Sequence, residues 1–143
     1  MIGIKNEDGT VTGIYCHWDG YPENNGQILV EHYRNEKKVR ELIDLGDLSI
    51  LGPEIGIAHD FESRDPTHKD MCTAYGRDRG EKDVSKTDFK SERDLALCGR
   101  GQEFSYVFDK GDWFLVGRYN RAHDRIPVVD ILKDTKKFYE ENE

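Results

Sequence analysis

Only three cysteines occur among the 143 residues. Cys16, Cys72 and Cys98 are odd in number and far apart, which is atypical of a disulfide framework, so we interpret them as reduced thiols. No apolar segment approaches the roughly 18 to 20 residues that a membrane-spanning helix needs, and the N-terminal residues carry no apolar signal-peptide core. We therefore expect a cytoplasmic protein with no membrane partner.

Acidic residues outnumber basic residues. The chain has 21 Lys and Arg and 29 Asp and Glu, for a net charge of −8. Proteins that bind duplex nucleic acid without sequence preference neutralise many phosphates with Lys and Arg, so this balance excludes such a partner. A small anionic ligand needs only a few Arg in one pocket. With 36% hydrophobic and 35% charged residues, we expect one thin-cored domain over residues 1–143 with a mobile tail at about 138–143.

The common catalytic motifs do not occur in this chain. There is no G-x-S-x-G, no Walker loop and no H-E-x-x-H. Cys16 and His17 are adjacent, so on a strand their side chains point to opposite faces and cannot form a nucleophile–base pair. His68, Asp70 and Cys72 alternate, but the paired spacing of a closed zinc site does not occur. We expect no catalytic residue, no metal and no cofactor; an enzyme of an unrecognised type is the open alternative.

Turn and capping signals divide the first half of the chain into a hairpin and two helices. Asp8-Gly9 lies between alternating apolar residues, which predicts an N-terminal β-hairpin over residues 2–18. Asn24 or Asn25 is predicted to cap a first helix that carries residues 28–33. Asn35 is predicted to cap a second helix that ends at Gly46 in a left-handed conformation.

The second half is predicted to contain a strand over 71–77, an exposed polar segment over 81–88 and a short helix over 92–98 capped by Ser91. A second hairpin follows, with strands at 104–108 and 113–116. Residues 118–125 are predicted to form a loop or an edge strand, and Pro127 begins a C-terminal helix. The predicted fold class is α+β, an antiparallel sheet with an N-terminal hairpin, a helix pair packed on it, a second hairpin and the C-terminal helix.

Aromatic and arginine residues gather near predicted turns. Aromatic planes stack on nucleobases, whereas Arg guanidinium groups pair with phosphates. A second interpretation applies to each residue: an aromatic ring can pack the core, and an Arg can form a surface ion pair. We predict that the ligand-binding residues are Trp18, Tyr21, Arg77, Arg79, Arg118, Arg121 and Arg125.

Three segments carry a family resemblance: YCHWDGYP at 15–22, LIDLGDL at 42–48 and AYGRDRG at 74–80. The chain resembles a widespread set of small phage-encoded accessory proteins and is most similar to the Thoeris anti-defence family of cyclic ADP-ribose sponges. The resemblance implies that a cyclic ADP-ribose isomer, or a cyclic oligonucleotide, is bound and sequestered without cleavage. It also implies a homo-oligomer, dimeric or hexameric, with ligand near subunit interfaces, in the cytoplasm of an infected bacterium.

The acidic balance supports an alternative function. A protein that presents rows of carboxylates can mimic DNA and inhibit a host nuclease or a CRISPR effector. Interleaved Lys and Arg weaken this interpretation, because an effective mimic needs a more uniformly negative surface. The candidate acidic face comprises Asp44, Asp47, Glu54, Asp60, Glu62 and Asp65.

Overall fold

Two β-sheets and five α-helices form the α+β fold of residues 1–142, the part of the chain that a computed structural model describes. The strands are β1 (Ile2–Lys5), β2 (Val11–Ile14), β3 (Leu48–Ile50), β4 (Thr73–Ala74), β5 (Thr87–Phe89), β6 (Phe104–Asp109), β7 (Asp112–Arg118) and β8 (Arg121–Pro127). The helices are α1 (Gln27–His32), α2 (Glu36–Asp44), α3 (Tyr75–Arg79), α4 (Glu92–Ala96) and α5 (Val128–Glu141). A π-helical turn over Pro22–Gly26 precedes α1, and a 3-10 turn spans Pro66–His68.

The main sheet has six strands in the order β5-β2-β1-β6-β7-β8, and β3 pairs with β4 in a separate ladder. The predicted hairpins are present as β1–β2 and β6–β7. Strands β1 and β6 run parallel, whereas the other neighbours are antiparallel. The predicted fold class is therefore confirmed, with one parallel pair in the sheet.

One face of the main sheet carries the larger core. Ile2 and Ile4 of β1 and Tyr106 and Phe108 of β6 pack there against the buried residues of α1 and α2 and against Val128 at the start of α5. This face buries the helix pair, as the apolar spacing of the two helices predicts.

The opposite face is covered by α4, which lies very close to the strands. A Cβ atom added at Gly13 would lie 2.6 Å from a Leu95 methyl carbon, and one added at Gly117 would lie 2.6 Å from the Ala96 Cβ. Glycine at these positions leaves the room that the short helix needs. Val11, Val107 and Val116 complete this smaller core.

Several capping and turn residues have the roles that the sequence predicts. The Asn35 side chain accepts a hydrogen bond from the Lys38 amide at 2.9 Å, and Ser91 caps α4 by accepting from the Asp94 amide. Gly46 adopts a positive φ of 76° just beyond α2. Residues 121–127 form the edge strand β8, and α5 begins directly after Pro127.

Other predictions need correction. The predicted strand over 71–77 is a two-residue strand followed by α3, because Asp78 reaches back and accepts the Ala74 amide at 2.8 Å, which stabilises the first turn of a helix. The polar segment at 81–88 leads into edge strand β5. Asn24 and Asn25 lie within the π-helical turn and do not cap α1.

The predicted tail falls mostly within α5, which continues to Glu141; Glu143 lies outside the described residues. None of the helices in residues 1–142 is long and apolar enough to cross a bilayer.

Candidate functional site

The segment after β2 is held to the small sheet by its backbone. Cys16 bridges to Leu48, and the amides of His17 and Trp18 donate to the carbonyls of Leu48 and Ser49 at 3.0 and 3.1 Å. The chain then turns away through Asp19, whose φ of 56° is uncommon for a residue other than glycine. These contacts place residues 18–21 at a fixed position beside the first residue of β6, Phe104.

Three side chains donate hydrogen bonds to backbone carbonyls of the loop formed by residues 18–21. The Asn25 side chain, which is buried, donates to the Trp18 carbonyl at 3.4 Å. The Asn24 side chain donates to the Asp19 carbonyl at 3.1 Å, and the Tyr106 hydroxyl donates to the Gly20 carbonyl. Three consecutive carbonyls are therefore fixed, and the loop is preorganised in a locally strained conformation.

This rigid loop presents aromatic rings to solvent. Trp18 is 56% exposed and Tyr21 is 44% exposed, although both are large apolar side chains. The His17 ring packs edge-on against Trp18 with centroids 4.6 Å apart, and the Tyr15 hydroxyl lies 3.0 Å from His17 Nδ1. Exposed rings on a loop that the fold holds in place are available to stack on a planar ligand.

The loop forms one wall of a cleft of about 370 Å³, which we call the aromatic cleft. The other wall is the segment that enters β6, including the half-buried ring of Phe104. This volume is within the range of small-molecule binding sites. The aromatic cleft is lined by residues 15–21 and 101–104.

Arg100 lies beside the aromatic cleft in an ion pair with Asp47. Its guanidinium lies 5.1 Å from the centroid of Tyr15 and donates to Asp47 at 2.8 Å. Asp47 is buried and also accepts the Tyr15 amide at 2.9 Å. The hydrogen bond to Asp47 raises the pKa of Arg100 above its ordinary value. One carboxylate therefore positions both the cation and the backbone of Tyr15.

Arg118 and Arg121 lie at the same end of the main sheet. Arg118 is the strand partner of Phe104, which lines the aromatic cleft, and Arg121 is the strand partner of Arg118. Both are exposed, and within residues 1–142 neither pairs with a carboxylate. The exposed ring of Tyr119 lies between them in sequence and 6.1 Å from Phe104. These two exposed arginines are available to an anion that lies beside Phe104.

Cys16 is not an activated nucleophile. Burial raises the pKa of its thiol to about 11, and the Asn25 side chain donates to its sulfur at 3.5 Å. A thiol with that pKa stays protonated at neutral pH, whereas a nucleophilic cysteine must form a thiolate. Cys16 therefore packs the base of the loop.

Arg77 and Arg79 lie elsewhere, on α3. Arg77 donates to the carbonyls of Ile55 and Cys72 at 2.8 and 2.7 Å and pairs with Asp78, whose side chain has no exposed surface. Burial acts to raise the pKa of Asp78, but the hydrogen bonds from Arg77 and from the amides of Ala74 and His59 outweigh it and hold that pKa below its ordinary value.

The neighbouring Arg79 is also engaged within the chain. Its guanidinium lies 4.3 Å from the centroid of Phe61 and 5.0 Å from that of Tyr75, and it donates to Glu81 at 2.9 Å. Together with Arg77 and Asp78 it fastens the long segment between β3 and β4 onto α3. We call this group the α3 cluster: His59, Phe61, Tyr75, Arg77, Asp78 and Arg79.

Arg125 lies in the middle of β8 and pairs with Glu92 at 2.7 Å and with Asp109 at 3.0 Å. Of the seven predicted ligand-binding residues, Trp18 and Tyr21 line the aromatic cleft, Arg118 lies beside it as the strand partner of Phe104, and Arg121 lies one strand further away. Arg77, Arg79 and Arg125 lie outside the lining of the aromatic cleft, and their guanidinium groups contact the protein itself.

Sequence reasoning missed Arg100 and Phe104. Arg100 lies between Gly99 and Gly101, which both adopt positive φ angles, so a glycine-flanked arginine is the signal that marks it. In the sequence, Phe104 is indistinguishable from any other apolar residue of a hairpin strand. No local sequence pattern shows that the pairing of β1 with β6 places it beside Trp18.

Two of the six carboxylates of the predicted acidic face are paired with cations of the protein, whereas the other four, Glu54, Asp60, Glu62 and Asp65, are exposed. Asp47 is buried against Arg100, and Asp44 pairs with Lys86. Asp60 and Asp65 accept nearby backbone amides within their own loop. In the described residues, no group of three or more His, Cys, Asp or Glu is placed to hold a metal ion.

No known family model, curated protein or solved structure matches this chain.

Proposed function

We propose that this protein is a phage anti-defence protein that binds a small cyclic nucleotide signal at the aromatic cleft and sequesters it in the cytoplasm of an infected bacterium. The observation that carries the proposal is the display of Trp18 and Tyr21, both exposed, on a loop whose three carbonyls are fixed by Asn25, Asn24 and Tyr106. Preorganised aromatic surfaces bind planar groups without the entropic cost of ordering them.

The base and the phosphates of a nucleotide each have a candidate partner in or beside the aromatic cleft. The base stacks on Trp18 or Tyr21, and such stacking contributes about 1–3 kcal/mol per base. The phosphates contact Arg118 and Arg121, which have no carboxylate partner in residues 1–142. Arg100 lies on the Tyr15 side, where its guanidinium donates to the buried Asp47 carboxylate. A protein of net charge −8 holds a small anion only where such cations converge.

Sequestration places one strong demand on the site. A protein that removes a signal stoichiometrically needs nanomolar affinity, which corresponds to about −12 kcal/mol. Two stacked rings and two or three charge-assisted contacts in a preorganised cleft are the kinds of interaction that supply it. Binding without cleavage is what the family resemblance implies, and the high pKa of Cys16 offers no thiolate nucleophile at the base of the loop.

The test is direct recovery of ligand. The purified protein is incubated with cyclic ADP-ribose isomers, linear ADP-ribose and cyclic dinucleotides, separated from free ligand, heat-denatured, and the released material is identified by mass spectrometry. We expect one intact cyclic nucleotide. A chemically changed product would make the protein an enzyme. Recovery of nothing would overturn the proposal and favour an acidic protein-binding inhibitor.

A further inference from the structure

The lining of the aromatic cleft, within residues 1–142, contains two carboxylates and no Lys or Arg. Asp19 lies on the loop wall, between Trp18 and Tyr21 in sequence, and Glu103 lies on the opposite wall directly before Phe104. Each wall therefore combines aromatic rings with one negative charge. A site of this composition favours a positively charged ligand group, because aromatic faces and carboxylates both attract cations.

Both carboxylates are exposed and have no partner within the described chain. In residues 1–142, neither side chain forms an ion pair or accepts a hydrogen bond. The backbone on each wall is nevertheless fixed. The Asp19 carbonyl accepts from the Asn24 side chain at 3.1 Å and from the Asn25 amide at 3.3 Å. The Glu103 carbonyl accepts from the Tyr119 amide at 2.9 Å, so both negative charges are available to a ligand on backbone that the fold holds in place.

The arginines of this region lie outside the lining of the cleft. Arg118 is the strand partner of Phe104 and has no carboxylate partner in residues 1–142, whereas the charge of Arg100 is matched by Asp47. A phosphate inside the cleft is repelled by both carboxylates, but a phosphate beside Arg118 is attracted. The charges thus fit a nucleotide whose base enters the cleft and whose phosphate stays outside.

The negative charge on the walls also distinguishes one base from another. Adenine and guanine are uncharged at neutral pH, whereas a purine that is alkylated on a ring nitrogen is a planar cation. Such a base stacks on an aromatic face and gains a cation–π attraction there, which is strongest on tryptophan. The carboxylates add to this attraction, because neither has to leave a partner in the protein first.

We propose that the aromatic cleft is selective for a nucleotide with a positively charged base, and that Asp19 and Glu103 determine this selectivity. The inference rests on the proposed function and narrows its ligand to nucleotides that are alkylated on a ring nitrogen of the base. Trp18 supplies the stacking surface, and Arg118 contacts the phosphate.

Two isomeric nucleotides test the selectivity. N¹-methyl-AMP and N⁶-methyl-AMP have the same phosphate and the same methyl group, but only the N¹ isomer has a cationic base at neutral pH. Isothermal titration calorimetry of the full chain should give an affinity about tenfold higher for the N¹ isomer, the combined effect of an exposed cation–π contact and two exposed carboxylates. Choline, which carries a positive charge but no planar ring and no phosphate, should bind more weakly than the N¹ isomer.

Charge-neutralising variants identify the residues responsible. Asp19→Asn with Glu103→Gln should lower the preference for the N¹ isomer to about threefold, because only the cation–π contact is left. Asparagine also tolerates the positive φ of residue 19. The matched control is Glu7→Gln with Asp112→Asn, which removes the same charge from exposed carboxylates outside the cleft and should keep the wild-type preference. Circular dichroism should show that both variants are folded.

Four results would overturn the inference. These are equal affinity for the two isomers in the wild type, an unchanged preference in the variant of Asp19 and Glu103, tighter binding of choline than of the N¹ isomer, and no binding of any of the three at millimolar concentration. The proposed function is judged separately, by recovery of an intact cyclic nucleotide. Its failure and the failure of this selectivity are therefore distinguishable.

Discussion

The aromatic cleft and the α3 cluster both place arginines next to aromatic rings, and the structure uses the two regions in opposite ways. In the α3 cluster, Arg77 donates to two carbonyls and to a fully buried carboxylate, and Arg79 lies over the rings of Phe61 and Tyr75. In the aromatic cleft, Trp18 is exposed and the nearby Arg118 has no carboxylate partner in residues 1–142. The same residue types are therefore engaged within the protein in one region and exposed to solvent in the other, and only the exposed set is available to a ligand.

The largest effect is expected from Arg77→Ala. This change leaves Asp78 without its cation in a site that has no exposed surface, and removal of one partner of a buried pair costs about 3 kcal/mol of unfolding free energy. Urea denaturation measures the loss, with Arg64→Ala, an exposed arginine of the same long loop, as the matched control that should change stability by less than about 0.5 kcal/mol. An unchanged unfolding midpoint for Arg77→Ala would show that α3 does not depend on this pair.

Trp18→Ala should lower the affinity for the ligand and leave stability nearly unchanged, in contrast to Arg77→Ala. Affinity for the recovered nucleotide should fall at least tenfold, because stacking contributes about 1–3 kcal/mol, whereas stability should change by less than about 0.5 kcal/mol because the side chain is half exposed. Isothermal titration calorimetry and urea denaturation give the two values.

Trp113→Phe is the matched control for Trp18→Ala. Trp113 is 5% exposed, and its indole donates to the Tyr33 carbonyl at 2.8 Å. Its replacement should lower stability by about 1 kcal/mol, the value of one hydrogen bond, and leave affinity unchanged. Equal affinity losses in both variants would indicate a general effect of destabilisation.

The pH dependence of stability should test the role of Asp78 in the α3 cluster. The pKa of Asp78 is lowered in the folded state, so its charged form stabilises the fold above its ordinary pKa of about 4, and this contribution is lost as the pH falls through the lower folded value. The stability difference between wild type and Arg77→Ala should therefore be largest at neutral pH and shrink below about pH 4. A constant difference from pH 7 to pH 3 would contradict the assignment.

A smaller effect is expected from Arg121, one of the two exposed arginines near the aromatic cleft. Arg121→Ala should weaken nucleotide binding by about threefold at low salt and less at high salt, because the contact is exposed and screened. Arg125→Ala, on the same strand, is the matched control. Arg125 pairs with Glu92 and Asp109, so its loss should lower stability and not affinity.

Much of the fold follows from local signals. The Asn35 and Ser91 caps, the Gly46 stop and the second hairpin are all encoded within a few residues. The parallel pairing of β1 with β6 joins segments about 100 residues apart, and no local pattern specifies it. The predicted strand over 71–77 is wrong because the Asp78 carboxylate competes for the Ala74 amide and begins a helix.

The candidate site was only half predictable for the same reason. Trp18 and Tyr21 are conspicuous in sequence, since they flank a glycine and precede a proline. Whether an arginine is free or engaged depends on distant partners: Arg77 meets the Ile55 carbonyl, and Arg125 meets Glu92 from another element. Such tertiary contacts separate a binding arginine from a structural one, and the sequence pattern does not contain them.

The two tryptophans of the chain offer the most direct test of the central claim. In a Trp113→Phe background, Trp18 is the sole indole, and its fluorescence reports the aromatic cleft alone. Titration with the cyclic nucleotide recovered from the panel should quench this emission saturably. Adding Arg77→Ala should leave the dissociation constant within twofold under conditions where the variant is folded. Saturable binding that leaves Trp18 emission unchanged, or that disappears with Arg77→Ala in a folded chain, would contradict the account.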